Sequence, residues 1–116
     1  MQKRARKAEF STKARKIIEE RDNGCIFCQM RYRMEKAYWM DLNTFSIMHY
    51  IPRSSGGLVI EENGAIGCQY HHDMLDNGNS GHREEMLELF KEYLSSLYDD
   101  WDETNLVYDK WAFLKV

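Results

Sequence analysis

Two short pairs of metal-binding residue types, Cys25-Ile-Phe-Cys28 and Cys68-Gln-Tyr-His71, restrict this sequence more than any other feature. A structural zinc ion takes four Cys or His ligands in a tetrahedron, usually delivered as two such knuckles. Here the two knuckles use all three cysteines of the chain. A Cys-x-x-Cys pair alone also suits two small buried residues or a redox couple, but a redox couple calls for a βαβ setting that the pattern lacks. Three cysteines cannot all pair within one chain, and the charged stretch from Lys3 onward is no apolar leader. The expected compartment is therefore reducing and cytoplasmic. With 116 residues and a hydrophobic fraction of 43%, the chain suits one domain of modest core, which a metal cross-link would reinforce. We expect Cys25, Cys28, Cys68 and His71 to hold a structural Zn²⁺. No apolar run approaches the roughly 18–20 residues that span a bilayer.

Periodicity and turn residues divide the chain into three parts. Residues 1–23 form a basic arm and a helix over about 12–22, capped by Ser11, stopped by Asn23-Gly24, and burying Ala14, Ile17 and Ile18. Residues 24–78 hold the knuckles. Within them, 29–43 stays irregular with some helix around Met34–Trp39, and Thr44–Ile51 alternates as a strand that Pro52 ends. Ser54-Ser-Gly-Gly57 reads as a flexible loop, Asn63-Gly64 as a turn, and Ala65–Gly67 as a short strand. The second knuckle then opens a helix to about Leu75, broken by Asp76-Asn-Gly78. In residues 79–116, Ser80 caps an amphipathic helix with Met86, Leu87, Phe90, Leu94 and Leu97 as its buried stripe, and the tail from Trp101 carries Trp111, Phe113 and Leu114, which pack back. The expected fold class is α+β.

Net charge is −3, but its distribution is uneven. Basic residues crowd the first half, from Lys3 through Lys13, Arg15, Lys16 and Arg21 to Arg53, while acid gathers from Glu84 to Glu103. Two solvated helix faces would account for this; so would a nucleic-acid footprint.

The segment Met48-His-Tyr-Ile-Pro-Arg-Ser-Ser-Gly-Gly57, then Glu62-Asn63, then Cys68-Gln-Tyr-His-His72 resembles the HNH endonuclease motif with flanking zinc knuckles, as in small HNH proteins of bacteria and phages. The resemblance covers about residues 24–78. It implies a ββα-metal (His-Me finger) core and a metal-dependent endonuclease that nicks DNA with little sequence preference. By the same resemblance His49 is the general base, Asn63 orients it through backbone hydrogen bonds, and His72 is a ligand of a catalytic Mg²⁺ or other divalent ion. Asp76, one helical turn on, is the second ligand. Hydrolysing a phosphodiester needs a base for water and a cation to neutralise phosphate charge, so the assignment is chemically coherent. The implied partner is DNA, contacted by Arg53, Lys13, Arg15 and Lys16, alongside a bacterial or phage protein; no membrane is involved.

The family commonly places Asp or His directly before the catalytic histidine, where this chain has Met48, and a thioether is a poor ligand for hard cations. Two other readings therefore stand beside the nuclease. One is a degenerate HNH module that binds DNA or a protein without cutting. The other is a zinc-ribbon adaptor, which leaves His49 and His72 unexplained. Singly, His49 reads equally as a packed histidine, His72 as a helix-start surface residue and Asp76 as a turn aspartate. His82 reads as a surface residue.

Overall fold

Helix α1, Thr12–Asp22, begins the computed structural model of this chain, which describes residues 9–108. Ser11 caps it by accepting from the Ala14 N–H, and Asn23 closes it in the left-handed conformation, as its sequence predicts. Ile18 is buried against Phe10, Ile47 and Ile66, and Ala14 packs at the edge of that cluster. The first knuckle then makes α2, a single turn over Ile26–Gln29.

Strands β1, Phe45–His49, and β2, Gly64–Cys68, form an antiparallel pair with Ile47 opposite Ile66 and His49 opposite Gly64. β1 is shorter than the alternation from Thr44 to Ile51 predicts: beyond the in-register Tyr50 N–H bond to the Asn63 carbonyl, the Ile51 N–H turns to the Asn63 side chain. Helix α3, Gln69–Asp76, follows β2 without a break, and α4, Arg83–Leu97, closes the fold. Alternation along β1 gives the pair two covered faces. Ile47 joins the α1 cluster, whereas Met48 enters a larger one with Phe27, Cys68, Leu75, Met86, Phe90 and Leu94.

A polar hub locks α1 to the rest. The buried Asp22 carboxylate accepts from the Ile66 N–H at 2.8 Å and from the Tyr93 hydroxyl, and pairs with Arg21 at 2.7 Å. Arg21 also donates to the carbonyls of Gly64 at 2.7 Å and Glu61 at 2.9 Å. Arg21 thus belongs to the scaffold and not to a basic surface.

Several local expectations are corrected. Ser80 adopts a left-handed conformation (φ 54°) and does not cap α4, whose N-cap position is His82. Leu97 is 40% exposed and leaves the stripe to Met86, Phe90 and Leu94. Asn63-Gly64 is no turn dipeptide: Gly64 is extended (φ −140°) and opens β2. Ser54–Gly57 is not a slack loop either. Arg53–Ser55 make a 3₁₀ turn, and Gly57 bridges Val107. A Cβ on Gly57 would stand 1.9 Å from the Ile51 carbonyl oxygen, so only glycine permits that approach. Trp101 does pack back, donating its ring N–H to the Glu62 carbonyl at 2.9 Å. Trp111, Phe113 and Leu114, and the basic arm from Lys3 to Lys7, lie outside the described residues. Among the described residues no helix is long and apolar enough to cross a membrane.

Candidate metal centre and histidine site

Cys25, Cys28, Cys68 and His71 converge so that their ligand atoms all lie within 4.8 Å of one another. His71 Nδ1 stands 3.5 Å from the Cys25 sulfur, 3.6 Å from Cys28 and 3.3 Å from Cys68, and the Cys28 and Cys68 sulfurs are 3.7 Å apart. With Zn–S bonds of about 2.3 Å and Zn–N bonds of about 2.0–2.1 Å, a regular tetrahedron has sulfur–nitrogen edges of about 3.6 Å and sulfur–sulfur edges of about 3.8 Å. These four separations match a tetrahedral site, so the cluster could hold a zinc ion.

Local structure explains why. Each knuckle's first cysteine caps the helix that presents the second ligand: the Cys28 N–H points at Cys25 Sγ and the His71 N–H at Cys68 Sγ, both at 3.4 Å. Such donors favour thiolate. Burial opposes ionisation of Cys25, but the His71 ring and the backbone N–H groups of Cys68 and Cys28 outweigh it and bring the thiol down to about 7. Burial, reinforced by neighbouring sulfurs, pushes Cys28 and Cys68 up. Fully buried His71 donates from Nε2 to the Tyr32 carbonyl at 2.8 Å, which leaves the Nδ1 lone pair for the cluster. Nothing in the sequence marked Tyr32 for this task.

The second group lies along β1 and α3. His72 follows His71 on α3 but turns to the other side, where its Nδ1 meets Ser46 Oγ at 2.6 Å. Its Nε2 is 3.4 Å from Asp76 Oδ2, one turn further along. On β1, the half-buried His49 rests against the Phe10 ring at 5.0 Å between centroids, and its Nε2 is buried with no hydrogen-bond partner among the described residues. Burial, then the nearby Arg53 and His72, lower its pKa below 6.5, against an opposing pull from Asp76. His49 and His72 share no hydrogen bond; among the described residues their link is electrostatic.

Asn63 is fully buried and clamps the segment after β1. It accepts from the Ile51 N–H at 2.8 Å and donates to the carbonyls of Ile51 at 3.1 Å and Leu58 at 2.8 Å, while its own carbonyl accepts from Tyr50 at 2.9 Å. The chain on both sides of Arg53 is thereby set beside His49.

The basic residues of α1 border different grooves. Arg15 lines a groove of about 390 Å³ with Phe45, Ser46 and Ile47, whereas Lys13 lines another with Glu61 and Glu62. Lys16 is exposed. Met48 is wholly buried, and a Cβ on Gly67 would stand 2.4 Å from its sulfur, so Met48 fills the core beside the cysteine cluster. Ser46 is the residue that sequence reasoning missed, because a lone strand serine carries no signal of its own. In comparisons with family models, with curated proteins and with solved structures, nothing matches this chain.

Proposed function

We propose that this protein is a metal-dependent DNA endonuclease of the HNH type, built on a zinc-held ββα-metal core. The observation that carries the reading is the buried Nε2 of His49, which has no hydrogen-bond partner among the described residues and stands in the field of Arg53 and Asp76. An imidazole kept neutral by burial has a free lone pair, which is what a general base for water requires. Zinc in the Cys₃His cluster holds the knuckles together and with them the start of α3.

His72 Nε2 and Asp76 Oδ2, 3.4 Å apart, suit a shared divalent ion. Two ligands about 2.1 Å from one ion stand about 3.0 Å apart in octahedral and about 3.4 Å apart in tetrahedral geometry. Bound there, Mg²⁺ or another divalent ion would neutralise charge on the phosphate and the leaving oxygen. The chain's own residues do the rest. His49 Nε2 takes the proton from the attacking water, Asn63 fixes the backbone around that histidine, and Arg53 attracts the phosphate. Groups that approach the phosphate backbone in this way give binding without base preference.

A second reading has one observation in its favour. Met48, where the HNH family commonly supplies a further ligand, is committed to the core, so it leaves the ion His72 and Asp76 among the described residues. A module that binds DNA without cutting fits that deficit. Nicking of supercoiled plasmid over a series of divalent metals decides between them. General-base assistance is worth about 10²–10⁴-fold, so His49→Ala should lose at least about 100-fold in nicking rate. Plasmid retained on the protein but never cut, under any of the metals, would favour the binding module. A His49→Ala variant that cuts like the parent would sink the mechanism.

A further inference from the structure

No hydrogen bond reaches the His49 ring among the described residues, and Arg53 and Asp76 act on it only through their charges. An imidazole is ordinarily turned by the bond that its second nitrogen makes, so His49 must be held by packing instead. The ring packed against it is that of Phe10, with centroids 5.0 Å apart and planes inclined at 37°. We propose that Phe10 is a positioning residue, whose ring, seated over Gly64, holds the His49 imidazole in one orientation. The proposal rests on reading His49 as the general base.

The fold fixes Phe10 from several sides. Ser11 caps α1, which sets the place of the residue just before the helix. The Phe10 side chain is only 6% exposed and belongs to the cluster of Ile18, Ile47 and Ile66. Ile47 and His49 alternate onto one face of β1, so a ring lying on the first reaches the second. Gly64 stands opposite His49 in the register. Its backbone is extended, which any residue adopts, yet a Cβ there would stand 2.7 Å from Phe10 Cζ and 3.1 Å from Cε1. Glycine is needed here for room: the missing side chain is the seat of the Phe10 ring. Arg21 holds the Gly64 carbonyl at 2.7 Å, so that seat is tied to the buried hub. The separation of the two rings lies within the 4.5–7 Å typical of favourable aromatic pairs. A base must meet its water within hydrogen-bond reach, and a displaced ring costs rate even when every reacting group is present.

The test uses the full, zinc-loaded chain and reads the His49 χ1 distribution from three-bond couplings and nuclear Overhauser contacts. The parent should show one rotamer, with contacts between the Phe10 and His49 rings. Phe10→Leu keeps an apolar side chain in the cluster, so it should melt close to the parent yet spread His49 over several staggered wells. Gly64→Ala, which keeps Phe10 but takes its seat, should release the same rotamer from the other side. Nicking at saturating plasmid should slow at least about threefold in both, the share lost when one well of three is productive. KM should stay at the parent's value, because the buried Phe10 ring touches no substrate. A parent whose His49 already samples several rotamers overturns the proposal. So does a folded Phe10→Leu or Gly64→Ala protein that keeps the single rotamer, or one whose loss falls on KM alone. A parent that never nicks, but whose His49 rotamer both variants release, upholds the role of Phe10 and refutes the nuclease reading.

Discussion

The cysteine cluster and the histidine site use neighbouring residues of one helix, yet they are built on opposite plans. Around His71, each ring nitrogen and each knuckle-opening sulfur has its contact inside the fold, and the ligand set closes into a four-cornered figure. Around His72, one nitrogen meets Ser46, the other faces a largely exposed carboxylate, and the nearby His49 Nε2 has no partner among the described residues. A completed, buried polyhedron suits a group that stabilises the fold. Open valences beside a lone pair suit a group that meets something from outside, and buried polar atoms without partners are rare enough to mark function. The contrast makes the two sites separable by experiment.

The largest effect should come from emptying the closed site. Zinc bound in comparable small sites contributes about 10–16 kcal/mol at neutral pH, against a total stability of about 5–15 kcal/mol for a typical domain. A strong chelator, or Cys68→Ser, should therefore abolish the cooperative melting transition seen by circular dichroism. His72→Ala should leave that transition nearly in place, because His72 makes one hydrogen bond at the site's open edge. If chelation leaves melting unchanged and the purified protein holds no zinc, the division of labour between the two sites is wrong.

Met48→Asp sharpens the comparison from the opposite direction. On the proposed nuclease reading, an aspartate directly before His49 would add a ligand to the open site. In this fold the Met48 side chain belongs to the closed side, packed over Gly67 and among the cysteine cluster's apolar neighbours. A carboxylate there has no partner and leaves the methionine's volume unfilled, at a cost of about 3–5 kcal/mol. Urea unfolding should show the loss, with no gain in nicking. A variant as stable as the parent and faster in nicking would mean that the strand can rotate this position toward the metal.

What was readable beforehand follows the range of the interactions. The knuckles, the Ser11 cap and the Met86, Phe90 and Leu94 stripe depend on neighbours one turn away, and their spacing announces them. Asn63 was singled out for a motif role, but its three side-chain bonds reach Ile51 and Leu58, and only folding shows that it is a clamp and no turn residue. Ser46, the Tyr32 carbonyl and the Asp22–Arg21 hub were silent because their partners lie far along the chain. Ser80 misled for a related reason: its neighbours Gly78, Asn79 and Gly81 all have positive φ, and a residue drawn into such a turn cannot supply the extended backbone of an N-cap. His49 and His72 could be named as a pair from their order, yet their different supports could not.

The smallest expected effect concerns the pH at which the open site works. His49 lies below its ordinary 6.5 chiefly because burial disfavours the imidazolium, with Arg53 and His72 adding to that and Asp76 opposing it. A base acts in its deprotonated form, so the nicking rate should climb as pH rises below 6.5 and be level from about neutrality upward. The sign carries over to stability. A histidine with a depressed folded pKa contributes fully above the unfolded value of about 6.5 and loses that contribution as pH falls through the folded value, since the unfolded chain takes up the proton first. Replacing Arg53 by Gln removes one cation from the ring's surroundings and should move the rise to higher pH. Burial, the dominant cause, is untouched by that change, so the midpoint should remain below 6.5. The closed site should give no such response, because Arg53 is not among the groups that shift its cysteines. Single-turnover nicking rates measured from pH 5 to 8 for parent and Arg53→Gln would read both midpoints. A rate that keeps climbing above neutrality in the parent would remove His49 from the role of base, whatever the metal.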